Sequence, residues 1–366
     1  MAPLRVQRPR PLPALGLVLA ALAGCGDDGG ATTGATAPTT APPTTAPPTT
    51  DPTGATGSTG GDATSTGAPT TGMTGGDTQG LKLDVGTPDV PPDPTDTAGE
   101  KGCTAVDLLF VIDNSASMGP HQEDLSAAFP GFVDAMFAAL PPGTDLHVGL
   151  TVTSFFKGSC SESTVNCKSQ TSEQEIFDNY YDPPPAPNNG ENGGQGRLFT
   201  WDGKPFFAAD TSDDPAALKA WFTAAATAAG ETGCSFEMPA AAAGWAADPG
   251  NAATNAGFLR DAGAVLLIFV LTDEPDKSPE PVSQFVDKLA AAKQTCGGTA
   301  CILAAGLVPD FCYDNAGDTT LKTFLESFSA PPITGSIDAP ADYAMVVGDA
   351  LAGVISQKCD EIDPPK

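Results

Sequence analysis

Asp113, Ser115 and Ser117 stand at alternate positions of the run Asp113-Asn114-Ser115-Ala116-Ser117. An extended chain turns alternate side chains to one face, so this spacing gathers one carboxylate and two hydroxyls. All three are hard oxygen donors, suited to Mg²⁺, Mn²⁺ or Ca²⁺. A second carboxylate, Asp273, stands in Thr272-Asp273-Glu274. A polar run of this length could instead be a turn, or an N-cap for a helix starting near 121. Catalysis with such a metal has less support: no general base is evident, no HExxH, GxSxG or P-loop occurs, and the two histidines, His121 and His147, read as structural or exposed. The chain is expected not to be an enzyme, with no catalytic residue assigned.

Both acidic positions follow strand patterns. Val106 to Ile112 and Ala264 to Leu271 are short, nearly continuous apolar runs, the mark of parallel strands buried on both faces. In open α/β sheets, ligands bind beyond the carboxyl ends of such strands, where Asp113 and Asp273 stand. Around these runs, helix-spaced segments at 122–140, 214–229, 236–247, 281–294, 318–328 and 341–357 alternate with strand-like ones at 145–153, within 197–210 and at 301–307. That alternation predicts an α/β domain over 101–366, a doubly wound, mostly parallel, Rossmann-like sheet flanked by helices. Trp221, Phe222 and Trp245 read as core anchors, and Glu274 and Asp276 as solvated loop carboxylates.

Taken together, Asp113-x-Ser115-x-Ser117, the second strand ending in Asp273 and the stretch Glu231-Thr232-Gly233-Cys234 resemble the von Willebrand factor A family, whose metal-ion-dependent adhesion site uses such a set. The resemblance covers roughly residues 103–359. It implies that Ser115 and Ser117 bind the metal directly, that Asp113 and Asp273 act mainly through water or hydrogen bonds, and that Thr232 supplies the loop hydroxyl. The alternative for Thr232 is a cap on the helix that follows. The Gly-Cys-Ser-Phe-Glu stretch after Thr232 and the Phe-Leu-Arg before the second strand are similar to those of bacterial A-domain lipoproteins.

The amino terminus agrees with that last likeness. Arg5, Arg8 and Arg10 precede a short apolar core, Leu12 to Ala23, and Leu22-Ala23-Gly24-Cys25 resembles a bacterial lipobox. The expectation is a signal peptide over 1–24, lipidation at Cys25 and a place in the cell envelope, at the outer membrane or cell surface. Residues 25–100 are dominated by Thr, Pro, Gly, Ala and Asp, too poor in apolar side chains to form a core. They read as a disordered stalk reaching between roughly 50 Å and about 200 Å.

Residues 101–366 carry 13 Lys and Arg against 35 Asp and Glu, a net charge of −22, which disfavours nucleic acid and anionic lipid as partners. Cys25 aside, eight cysteines remain, an even number that suits an exported, oxidised domain. In a parallel α/β fold Cys103, Cys359, Cys296 and Cys301 fall at the bottom of the sheet and Cys234 and Cys312 in top loops. The expected pairs are Cys103–Cys359, Cys160–Cys167, Cys234–Cys312 and Cys296–Cys301. Zinc is the competing use of these cysteines, but no CxxC occurs. The long segment 154–196, with Pro183-Pro184-Pro185 and a Gly/Asn-rich run, reads as an insertion at the metal side of the sheet.

The functional expectation is a lipid-anchored adhesion module. Its divalent cation, Mg²⁺ first and Ca²⁺ or Mn²⁺ as alternatives, would take an Asp or Glu side chain of a protein ligand. A metal-dependent hydrolase and a scaffold with only a structural metal are the alternatives.

Overall fold

The computed structural model describes residues 103–156, 160–314, 319–328 and 330–361. The expected signal peptide, Cys25 and the stalk lie outside these residues. β1 (Ala105–Ile112) leads through α1 (Gly119–Ala139) to β2 (Asp145–Val152). A hairpin of β3 (Thr164–Val165) and β4 (Lys168–Ser169) and a short helix α2 (Glu173–Asn179) precede β5 (Phe206–Asp210). There follow α3 (Ala216–Ala228), α4 (Pro239–Ala246), β6 (Ala264–Leu271), α5 (Val282–Ala292) and β7 (Ile302–Val308). The chain continues through α6 (Asp310–Asp314), α7 (Thr319–Leu325), β8 (Ile333–Ser336), α8 (Pro340–Val347) and α9 (Asp349–Glu361). No helix among the described residues is long and apolar enough to cross a membrane.

Six strands form one sheet in the order β5-β2-β1-β6-β7-β8, parallel except for β5. The chain winds outward from β1 to β5, then returns to β6 on the other side of β1 and winds outward again. The architecture is therefore α/β and doubly wound, and its topological switch point falls between β1 and β6, which pair in register from Ala105↔Ala264 to Ile112↔Leu271. Every residue of both strands is buried, as their unbroken apolar runs require.

Alternation along each strand divides the core into two layers. Leu108, Phe110 and Ile112 of β1 pack with Leu267, Phe269 and Leu271 of β6 against α1, α3, α8 and α9. Phe129 of α1 and Phe222 of α3 stack there, with Phe110 set edge-on to both. Leu109 and Val111 face the other way with Leu266, Ile268 and Val270, toward α4, α5 and α7. Trp221, Phe222 and Trp245 are core residues, as their setting in Ala-rich helices suggests.

One charge sits inside β1. Asp107 is wholly buried, and Arg260 clasps it through Nε at 2.7 Å and the backbone amide at 2.9 Å. Lys293 Nζ, equally buried at the end of α5, approaches Asp107 to 3.3 Å, and His147 Nδ1 donates to the carbonyl of Phe258 at 2.8 Å. Arg260 belongs to the Phe-Leu-Arg stretch singled out in the sequence. Its work is at the bottom of the sheet.

Three details depart from the sequence reading. β8 is an unanticipated edge strand, too short and too mixed, Ile-Thr-Gly-Ser, to leave a pattern. The last helix is two helices. Gly348 breaks it, and a Cβ there would lie 2.2 Å from the Ala344 carbonyl oxygen, so this backbone path admits only glycine. The cysteines also exchange partners: Cys103–Cys359 and Cys296–Cys301 form, but Cys160 pairs with Cys234 and Cys167 with Cys312. The β3–β4 hairpin explains the exchange. Asn166 and Cys167 form its two-residue turn with φ of 49° and 63°, so Cys167 projects from the tip toward α6 while Cys160 stays beside the 234–235 backbone.

Candidate metal centre

Asp113 follows the last residue of β1 and stays in the sheet, its amide donating to Leu271 O at 2.9 Å. Its side chain is wholly buried. One carboxylate oxygen accepts from the Ser115 amide at 2.8 Å and the other from Thr272 Oγ1, at the end of β6, at 2.8 Å. The first bond turns the chain out of the strand at once. Ser115 Oγ and Ser117 Oγ then lie 3.5 Å apart, Ser115 buried and Ser117 exposed. The run does not cap α1, whose N-cap position is Met118 with no side-chain bond.

Asp273 stands one residue past Thr272. Its Oδ1 is buried without a hydrogen-bond partner. Burial first, and the charge of Asp273 second, push the Asp113 carboxyl up to about 7. Two carboxylates at neighbouring strand ends thus repel one another in a partly desolvated place, the situation a divalent cation relieves.

Thr232 is exposed on a loop fastened over the motif on both sides of it. Glu231 accepts from the Gly119 amide at 3.0 Å, and the Gly233 amide donates to Asn114 O at 2.8 Å. Gln122 braces the same place, donating to the carbonyls of Asp113 at 3.1 Å and Gly230 at 2.8 Å. A Cβ on Gly233 would lie 2.4 Å from Asn114 Oδ1, so the loop comes this close only because residue 233 is glycine. Thr232 is not the cap of α4 either. Met238 holds the N-cap position, and Asp276 caps the helix from outside through the Ala240 amide at 2.9 Å.

The resulting donor set grades from buried carboxylates to exposed hydroxyls, open at the Ser117 and Thr232 end. Among the described residues no three His, Cys, Asp or Glu side chains converge on one point. Two carboxylates completed by neutral hydroxyls fit a hard cation such as Mg²⁺, and the unpartnered oxygen of Asp273 has a use in such a site. A cysteine-bound zinc does not fit, since all eight cysteines among the described residues are in disulfides. Both histidines are engaged elsewhere, His121 with Tyr343 Oη at 3.1 Å and His147 at the bottom of the sheet.

Several neighbours of the site escaped the sequence reading. Asn114, between the motif residues, accepts from Ser154 Oγ at 3.0 Å and donates to Glu191 Oε1 at 2.5 Å, which brings the 154–196 insertion against the motif loop. Glu237 and Lys277 form a buried pair beside it, Nζ to Oε2 at 2.6 Å. Burial, then the charge of Asp113, raise the Glu237 carboxyl, with Lys277 opposing them. The expectation of solvated carboxylates after Asp273 is corrected: Asp276 is buried as the α4 cap, and Glu274 pairs with Lys277. The backbone after β6 folds down onto α4 instead of looping into water. A charge isolated in an apolar run, as Glu237 is in Ser-Phe-Glu-Met-Pro-Ala, was the signal available for this pair.

No protein-family model and no curated protein matches the chain. Among solved structures, it is similar to a von Willebrand factor type A protein from Catenulispora acidiphila, with 14% identity and a TM-score of 0.36 over 69% of this chain and 43% of that one. It is similar also to the pilus adhesin SpaC from Lactobacillus rhamnosus GG, with 12% identity and a TM-score of 0.39 over 70% of this chain and 30% of that one. A third is proximal thread matrix protein 1 from the mussel byssus, with 11% identity and a TM-score of 0.36 over 70% and 49% of the two chains. The chain spans less than half the length of each of the three.

Proposed function

We propose that residues 101–366 are a divalent-cation-dependent binding module, held at the cell envelope by a lipid on Cys25. Asp113, Ser115, Ser117, Thr232 and Asp273 would hold the cation, Mg²⁺ in the first place. The observation that carries this reading is the meeting of Asp113 and Asp273 at the β1/β6 switch point, one carboxyl pushed up by burial and by the other, below an outward rim of hydroxyls. Ser115, Ser117 and Thr232, the ligands that would touch the cation directly, are neutral, and Asp113 and Asp273 would act mainly through water or hydrogen bonds, so a bound dication keeps positive charge on its solvent side and attracts an Asp or Glu of a protein partner. The net charge of −22 on the domain repels such a partner at long range, but screening over roughly 8 Å at physiological salt leaves the cation's own field in control at contact.

The test is calorimetry of the full chain with Mg²⁺, Mn²⁺ and Ca²⁺, followed by capture of envelope or extracellular proteins in Mg²⁺ and in chelator. Wild type should bind a cation, and partners should be lost on chelation. Asp113→Ala and Asp273→Ala should each lose cation and partner together while remaining folded, because polar strand-end loops add little to the core. A partner held unchanged by Asp113→Ala in chelator would sink the reading.

A further inference from the structure

Thr232 and Asp273 reach the site from different loops, and those loops are joined behind it. Lys277 Nζ donates to Glu237 Oε2 at 2.6 Å, to Ser235 O at 2.9 Å and to Glu274, while its backbone amide donates to Glu237 O at 2.8 Å. The two side chains of the central pair are 2% and 0% exposed. The Ala240 amide bonds to Asp276 Oδ2 at 2.9 Å and the Ala241 amide to Ser278 Oγ at 3.1 Å, so 235–241 and 274–278 form one bolted unit. A buried ion pair adds little stability that a pair of well-packed apolar residues would not, so stability alone does not account for this one. Its place does: it spans the two walls that carry Thr232 and Asp273.

We propose that Glu237 and Lys277 are a positioning pair that fixes the separation of those walls and thereby holds the cation site to the size of Mg²⁺ in preference to Ca²⁺. The inference rests on the cation-binding reading above. Mg²⁺ demands near-ideal octahedral geometry at about 2.1 Å, whereas Ca²⁺ accepts six to eight ligands at roughly 2.3–2.6 Å in flexible arrangements. Loosening the walls therefore penalises Mg²⁺ more. The field of the pair predicts something different. Removing the Lys277 ammonium takes a positive charge from beside the site, which by Coulomb's law leaves cation binding unchanged or makes it tighter.

The experiment is calorimetric titration of the full chain with Mg²⁺ and with Ca²⁺ for wild type, Lys277→Met and the double variant Glu237→Gln/Lys277→Met, with melting in chelator as a check of folding. The double variant keeps the local charge balance and leaves no buried charge of the pair alone, so it answers if the single variant does not fold. Both variants should lose Mg²⁺ affinity by at least about tenfold and Ca²⁺ affinity by less than about threefold, a discrimination set by geometry. Mg²⁺ binding as tight as wild type in both, or equal losses for the two cations, would overturn the pair's role while leaving the cation reading standing. Wild type binding neither cation would overturn both.

Discussion

At Asp113 the proposed use and the cost to the fold coincide. With no cation bound, its carboxyl is raised to about 7 in the folded chain. The native state therefore holds a proton that the unfolded state has released between roughly pH 4 and about 7, and its stability falls as pH rises through that window. Asp113→Asn keeps the shape and cannot ionise. In chelator it should melt above wild type at about pH 8, by roughly 5 °C, with the gap closing toward about pH 5. The same variant should lose Mg²⁺ binding in calorimetry. An Asn variant that melts below wild type at the higher pH would show that the carboxylate is comfortable where it lies. The placing of Asp113 and Asp273 at adjoining strand ends, with Ser115 and Ser117 beside them, was legible because both runs follow apolar strand patterns. Asn114 and the Glu237–Lys277 pair were not, because the contacts Asn114–Ser154 and Glu237–Lys277 each span 40 residues and no local period encodes them.

At the scale of elements, the central strands announce themselves by apolar runs buried on both faces, and the helices that cover them by apolar residues at helical spacing. What the sequence hid is whatever tertiary contact decides: the antiparallel direction of β5, the short edge strand β8, the break at Gly348 and the exchanged cysteines. Asp107 belongs with these, since a carboxylate inside an apolar strand is explained only by Arg260 and Lys293 arriving from elsewhere. Lys293→Met should cost about 3 kcal/mol in urea unfolding, since it strips a partner from a buried charge. Mg²⁺ affinity should not move, for Asp107 stands six residues down β1 from Asp113, about 20 Å away. A change in cation affinity without a change in stability would refute this division of the sheet into a structural end and a binding end.

The whole molecule adds covalent ties. Cys160–Cys234, joining residues 74 apart in sequence, and Cys167–Cys312, 145 apart, fasten the insertion to the core near the candidate site. Replacing Cys160 and Cys234 by Ser should lower stability by about 4 kcal/mol on the loop-closure account. Peptide mapping without reduction should recover these two linkages, and linked peptides containing Cys160 with Cys167 would refute them. On the anchor, Cys25→Ala should move the chain from the membrane fraction to the soluble one in its own host, and retention at the membrane would refute lipidation at that residue.

If the chain is a tethered binder as proposed, β1 gives it a mechanical path. A pull applied at Cys103 and resisted at Asp113–Ser117 runs along the length of β1, which is hydrogen-bonded to β2 and β6 over the same eight residues. Two ladders then share the load in shear, every bond strained together, instead of parting one after another as in peeling from an edge. At the loaded end Cys103 is bound to Cys359, so tension passes into α9 before it can draw the strand out. On the proposed reading, the strand beside which a partner would be held is thus one secured along both of its edges.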